Sequence, residues 1–260
     1  QAQAAAPDSD GTVIGKIAPS QQFQLHAQEF QQLLQQRAVT GFIQPIVDQQ
    51  QRLHAYELLG RGRHPQLPMA PGVLFGLAES LNQAVAFSEL LREVGIAEVA
   101  RAKIKVPIFF NIHPNEMDQP KRLLRGLERL RSEYPQLRLV LEVHEAAVSN
   151  VGQIAALKQS LRTLDIGLAY DDFGAGQARL LELIEAPGDY LKFDHALISK
   201  LTPNSAHYKL LESLTRLVRD MGCATLAECV ETEQQAECCR QMGIEFYQGY
   251  LFGRPQAVAT

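Results

Sequence analysis

Short apolar runs rich in β-branched and aromatic residues alternate with longer amphipathic stretches along most of the chain. The runs are "GFIQPIV" (41–47), "HAYELL" (54–59), "PIFFNI" (107–112), "RLVLEV" (138–143), "GLAYD" (167–171), "DYLKF" (189–193), "CATLAE" (223–228) and "FYQGYLF" (246–252). Each has the length and composition of a β-strand. Stretches such as "VGQIAALKQSLRTL" and "HYKLLESLTRLVRDMG" have the helical period, and the second ends in the glycine expected at a helix C-terminus. Strand and helix in alternation predict a parallel sheet. Eight such strands in about 220 residues predict an α/β fold of the TIM-like (β/α)8 barrel type.

One connection departs from this rule. Only "DQQQRL" separates the first two strands, whereas a parallel crossover needs about a dozen residues or more. The first strand is therefore expected to run antiparallel to the second. The long gap between the second and third strands leaves room for extra helix, which "APGVLFGLAESL" and "FSELLREVGIAEVARA" fill. Residues 1–25 are rich in Gln, Ala and Ser with few apolar anchors, and read as a linker or the cut edge of a longer polypeptide. Residues 26–260 read as one domain.

The conspicuous polar residues fall at or near the C-terminal ends of the later strands: Glu57, Asn111, Glu142, Asp171 with Asp172, Lys192, Glu228 and Gln248. After the first, successive intervals of 20 to 36 residues lie close to the roughly 30 of a βα unit. Each strand would then deliver its group to the same rim of the barrel, the rim on which barrels of this type build active sites. A lone acid at a strand end is ordinarily a solvated rim residue or a helix cap; seven strands converging is a different matter.

Five carboxylates and an amide oxygen form a hard ligand set, suited to Mg2+ or Mn2+ over zinc, copper or iron. The segment "LAYDDFGAGQARL" (168–180) carries two adjacent acids to the end of an apolar run. Asp171 and Asp172 cannot both stay ionised cheaply beside three more acids unless cations offset the repulsion. If Asp171 bridges two ions and Asp172 binds the second, their spacing of about 3.5 to 4 Å suits in-line displacement at phosphorus.

The whole-chain numbers narrow the partners. A net charge of −4 over 260 residues gives no footprint for a nucleic-acid duplex or an anionic membrane surface. No apolar run reaches the roughly 18 to 20 residues of a membrane span, and no secretory leader opens the chain. The four cysteines lie between 223 and 239 without metal-finger spacing. They read as buried reduced thiols, which fits a cytoplasmic protein.

With these residues in place, the chain resembles the EAL family of cyclic-di-GMP phosphodiesterases. "YELLGR" stands where the family's Glu-Ala-Leu motif occurs, with Leu58 for its Ala. "FFNIHP", "LEVHE", "YDDFGAG", "DYLKFD", "LAECVET" and "YQGYLFGRP" follow in family order, from about residue 38 to 255. The resemblance implies a barrel with an antiparallel first strand and two ions, Mg2+ or Mn2+. One ion would be held by Glu57, Asn111, Glu142 and Asp171, the other by Asp171, Asp172 and Glu228. It makes Lys192 the candidate general base for the attacking water, or an electrostatic guide for it. It places Arg61 at a substrate phosphate, Gln248 and Glu231 in the supporting hydrogen-bond shell, and Glu145 as the holder of the loop 173–180. The activity implied is hydrolysis of cyclic-di-GMP to linear pGpG in bacterial second-messenger signalling, by a homodimer carrying an upstream sensory or regulatory domain.

The departures from the family pattern spare every ligand. Gly60 and Gly62 flank Arg61 where the family has Leu and an aromatic. Gln177, Ala178 and Arg179 replace Tyr-Ser-Ser, Cys229 replaces a Gly, and His144 replaces a Thr. Two competing readings remain: a catalytically weak cyclic-di-GMP receptor acting through a partner protein, and a barrel hydrolase or lyase for another phosphorylated metabolite.

Overall fold

A computed structural model describes the backbone of residues 19–144, 147, 150–174 and 180–259. Helix α1 (Pro19–Gln35) leads into a hairpin of β1 (Val39–Asp48) and β2 (Leu53–Gly62). Two helices follow, α2 (Pro71–Ser80) and α3 (Ala84–Arg101), in the long gap where helix was expected. Strand and helix then alternate: β3 (Ile108–Asn111), α4 (Pro120–Glu133), β4 (Leu139–His144), α5 (Val151–Thr163), β5 (Ile166–Phe173) and α6 (Leu180–Glu185). The chain ends through β6 (Tyr190–Phe193), α7 (His195–Ile198), α8 (Ala206–Asp220), β7 (Ala224–Ala227), α9 (Glu233–Met242), β8 (Phe246–Gln248) and β9 (Gln256–Ala257). Among the described residues, no helix is long and apolar enough to cross a membrane.

Strands β2 to β8 pair in parallel in sequence order, and β1 closes the barrel by pairing antiparallel with both β2 and β8. The antiparallel first strand follows from its turn. The Asp48 carboxylate accepts from the backbone N–H groups of Gln50 and Arg52, both at 2.9 Å, and Gln51 takes a left-handed φ of 58°. This side-chain-capped reversal leaves no length for a crossover.

Three details depart from the sequence reading. The last strand stops at Gln248 instead of running to 252, because the chain turns at Gly249 (φ 156°) against the backbone of Val230. A Cβ on Gly249 would sit 2.1 Å from the Val230 carbonyl oxygen, so only glycine fits this approach. The two-residue β9, too short to be read from sequence, pairs antiparallel with β1 at Phe42 and Ile43. Residues 19–25, inside the segment read as linker, belong to α1, whose Phe30 and Leu33 are buried.

The alternation of strand side chains explains where the site lies. Ile46, Ala55, Phe109, Val140, Ala169 and Leu226 form a cluster of their own inside the barrel, with Tyr190 and Phe246 packed on it. The opposite faces of the strands pack under the helices in a much larger core that includes Leu58, Phe110, Leu141 and Phe193. Of the cysteines, Cys223, Cys238 and Cys239 are free and buried in that core, with burial pushing the Cys223 and Cys239 thiols up to about 12. Cys229 departs from the expectation: it is exposed.

Candidate active site

Side chains two residues apart on a strand share a face. Counting two onward from each inward residue of the parallel strands gives Ala55 to Glu57, Phe109 to Asn111, Val140 to Glu142, Ala169 to Asp171, Tyr190 to Lys192, Leu226 to Glu228 and Phe246 to Gln248. The apolar layer is the floor, and the polar residues stand on it at the C-terminal mouth. Strand β1 runs the other way, so its member of the polar layer lies two residues before Ile46. That residue is Gln44, which the strand-end pattern did not single out; it is buried and sits opposite Glu57 in the β1–β2 register.

The polar layer is one connected assembly. Lys192 Nζ, fully buried, lies 2.6 Å from Glu142 Oε1, 2.7 Å from Asp171 Oδ1, 2.9 Å from Glu228 Oε1 and 3.6 Å from Glu57 Oε2. Nζ, Glu142 Oε1 and Asp171 Oδ1 are close and buried ion-pair partners. Amides hold both oxygens of Glu57 and one of Glu142. Asn111 Nδ2 donates to Glu57 Oε1 at 3.0 Å and to Glu142 Oε2 at 2.8 Å. Gln248 Nε2 donates to Glu57 Oε2 at 2.6 Å and to Gln44 Oε1 at 3.3 Å, and Gln44 in turn donates to the Gly253 carbonyl.

Two adjacent acids on a regular strand would face opposite ways. Here the β5–β6 register slips between Tyr170 and Phe173, and Asp172 takes a left-handed φ of 57°. This bulge re-aims Asp172 toward the mouth. Asp171, Asp172 and Glu228 then offer carboxylate oxygens that all lie within 4.8 Å of one another. His144 Nε2 approaches Asp172 Oδ2 at 3.2 Å, a pairing the sequence signalled only as a departure from the family pattern.

Burial raises the Glu142 carboxyl well above the usual carboxylate range, and the Glu57 charge adds to this against the opposing pull of Lys192. Burial likewise lifts Glu228, where Lys192 opposes and Asp171 reinforces. Asp172 is raised by burial and by Asp171. Burial alone would lower the Lys192 ammonium, but Asp171, Glu142, Glu228 and Glu57 together hold it well above its ordinary value. The site is thus a surplus of negative charge around one cation, and its hard oxygen donors fit Mg2+ or Mn2+.

A cleft of about 330 Å3 opens beside Asn111, Asp171 and Asp172, walled by Phe75, Leu91 and Phe110. Arg61 lines it, with its guanidinium donating to the Gly60 carbonyl at 2.9 Å and lying 5.4 Å from the Phe42 ring centroid. The glycines flanking Arg61 are explained by the helices: a Cβ on Gly60 would meet Leu91 at 2.7 Å, and one on Gly62 would meet Leu74 at 2.7 Å. Glu231 stands apart, exposed before α9, where its backbone N–H donates to Gln235. Its carboxylate has no hydrogen bond among the described residues. Glu145 and the replaced loop positions Gln177, Ala178 and Arg179 lie outside the described residues.

Comparison with known proteins agrees with this geometry. The chain is 29% identical over 222 residues to the probable cyclic di-GMP phosphodiesterase PdeN of Escherichia coli (strain K12), covering 82% of this chain and 42% of that protein. It is 29% identical over 211 residues to the cyclic di-GMP phosphodiesterase RocR of Pseudomonas aeruginosa, covering 76% of this chain and 52% of that one. The chain thus spans about half the length of these curated relatives, or less. The solved structure described as "PaMucR Phosphodiesterase, c-di-GMP complex" superposes with a TM-score of 0.77 at 25% identity, over 85% of this chain and 97% of that one. The family model for the EAL domain matches residues 27–255, from the helix before the barrel to the turn that closes it, and the chain belongs to the EAL domain family.

Proposed function

We propose that this chain hydrolyses one phosphodiester bond of cyclic-di-GMP, giving linear pGpG, with Mg2+ or Mn2+ held at the mouth of the barrel. The observation that carries the reading is the ring of Glu57, Glu142, Asp171 and Glu228 around Lys192, beside a cleft lined by Arg61. The names of the relatives, cyclic di-GMP phosphodiesterases, support the substrate.

In this reading Glu57, Asn111, Glu142 and Asp171 hold one ion, and Asp171, Asp172 and Glu228 the other. Asn111 would turn its carbonyl oxygen to the ion in place of the amide nitrogen it now offers Glu57 and Glu142. Bound divalent ions supply Lewis acidity toward the phosphoryl oxygens and lower the pKa of a bound water. Lys192, crowded by carboxylates, is suited to guiding water and developing charge as a cation rather than to accepting a proton. Arg61 exchanges the Gly60 carbonyl for a substrate phosphate, a stronger charge-assisted partner. Gln248 fixes the rotamer of Glu57 through their 2.6 Å bond.

The test is to incubate the purified chain with cyclic-di-GMP and Mg2+, Mn2+, Ca2+ or chelator and to resolve the products. Linear pGpG is expected with Mg2+ and Mn2+ and not with chelator. Ca2+ is expected to suppress turnover, because its longer and looser coordination spoils a two-ion spacing. Tight dinucleotide binding without product at saturating Mn2+ would replace this reading with that of a receptor. Sedimentation of the same sample tests the homodimer.

A further inference from the structure

Among the described residues, Lys192 is the one cation inside a ring of four carboxylates. Its ammonium lies 2.6 to 2.9 Å from Glu142, Asp171 and Glu228 and 3.6 Å from Glu57, so one positive charge is shared among four acids. Its two shortest contacts are to oxygens the amides leave over: Asn111 and Gln248 take both oxygens of Glu57, and Asn111 takes Glu142 Oε2. Glu142 Oε1 and Asp171 Oδ1, both buried, have Lys192 as their counter-charge. Among the described residues, no other ammonium or guanidinium makes an ion pair with the ring. Arg61 is turned to the Gly60 carbonyl, and His144 pairs with Asp172 outside it.

We infer that Lys192 is the internal counter-ion of the carboxylate ring, holding it assembled before metal binds and thereby setting how tightly the ring takes a divalent cation. The inference rests on the reading of the ring as a divalent-cation site. The physical reason is charge: with the ammonium, the carboxylate ring carries one less uncompensated negative charge than without it, in a largely buried site. A lysine here lowers the cost of the metal-free fold. It also weakens the attraction for an incoming dication, because its positive charge occupies the same set of oxygens. The protein gains a preformed site and gives up part of its metal affinity.

The experiment compares wild type with Lys192→Met, which keeps the stem and removes the charge, and Lys192→Arg, which keeps the charge. Mn2+ alone is titrated calorimetrically without nucleotide, and melting is followed in chelator and at saturating Mn2+. Lys192→Met is expected to bind Mn2+ at least about tenfold more tightly. It should melt several degrees lower in chelator, with the deficit gone at saturating Mn2+. Lys192→Arg is expected to keep the wild-type melting point in chelator and to show no gain in Mn2+ affinity.

Should Lys192→Met fail to fold in chelator, Lys192→Met combined with Glu228→Gln decides the matter. Removing one carboxylate should restore folding if unbalanced charge is the cause, and should not if packing is. Unchanged or weaker Mn2+ affinity in Lys192→Met with an unchanged circular dichroism spectrum overturns the inference. Failure of wild type itself to bind Mn2+ overturns the metal-site reading beneath it.

Discussion

Gln248 Nε2 donates to Glu57 Oε2 at 2.6 Å, while the other terminus of the same amide, Oε1, is buried without a hydrogen-bond partner among the described residues. The shorter of the two bonds its Nε2 makes holds a carboxylate across the mouth of the barrel, and the longer, 3.3 Å, goes to Gln44 Oε1. Gln248→Ala should lower stability in chelator by about 1.5 to 3 kcal/mol, the scale of a hydrogen bond to a charged group. It should reduce kcat more than it raises KM for the dinucleotide, because Glu57 loses its fixed rotamer. Urea unfolding and steady-state kinetics check both. Wild-type stability in the variant would show that the contact contributes nothing.

The raised carboxyls give the metal-free protein a pH dependence of definite sign. Glu142 is held by burial and by Glu57 well above its ordinary 4.5, and Glu228 by burial and by Asp171, with Lys192 opposing in both. A carboxyl whose folded pKa exceeds its unfolded one contributes stability below the unfolded value and loses it as pH rises through the folded value. Lys192, raised above 10.5, contributes a constant amount across this range. In chelator, wild type should therefore lose melting temperature relative to Glu142→Gln, whose amide does not titrate, as pH rises above the ordinary carboxylate range. Saturating Mn2+ should remove the slope difference. Parallel curves in chelator would contradict the assignment.

Seven of the eight inward polar positions were legible because each interrupts an apolar run at or near its C-terminal end, and in a parallel barrel these ends share one rim. Gln44 was not, although the short "DQQQRL" turn already required the first strand to run backwards. In such a strand the rim residue precedes the apolar ones, so a glutamine at the start of "QPIV" looks like an ordinary edge residue. The adjacency of Asp171 and Asp172 was visible, but the device that lets both face the mouth was not. It is a register slip with a left-handed aspartate, and no side-chain pattern encodes it. Helix α1 was obscured by the glutamines that fill most of its other positions, although Ala27, Phe30, Leu33 and Leu34 have helical spacing. Gly60 and Gly62 were readable only as departures, since the atoms that require them belong to Leu91 and Leu74, distant in sequence.

That packing yields a paired prediction. Gly60→Leu would restore the side chain usual in the family, but its Cβ would fall 2.7 to 2.9 Å from three atoms of Leu91. Overpacking of this kind costs about 1 to 3 kcal/mol. Combining it with Leu91→Ala should recover most of the loss, since the new side chain takes the space of the old one. A double-mutant cycle in urea measures the coupling. Additive effects would mean that Leu91 swings away freely and that the glycine has another cause.

Cys229 occupies a position where the backbone favours glycine, the residue usual in the family, and the consequence is measurable. It follows Glu228 directly and takes a left-handed φ of 52°. A side chain in that region costs roughly 1 to 2 kcal/mol, whereas glycine there costs only the roughly 0.5 to 1 kcal/mol of extra chain entropy lost on folding. Cys229→Gly should therefore stabilise the protein by about 1 kcal/mol at most. Cys229→Ala, which keeps the Cβ and so the strain, should not stabilise it. Because the thiol is exposed, its removal leaves no cavity to offset the gain. Urea unfolding in reducing buffer with chelator distinguishes the two variants. If alanine stabilises as much as glycine does, the thiol and not the backbone is the unfavourable element at this turn.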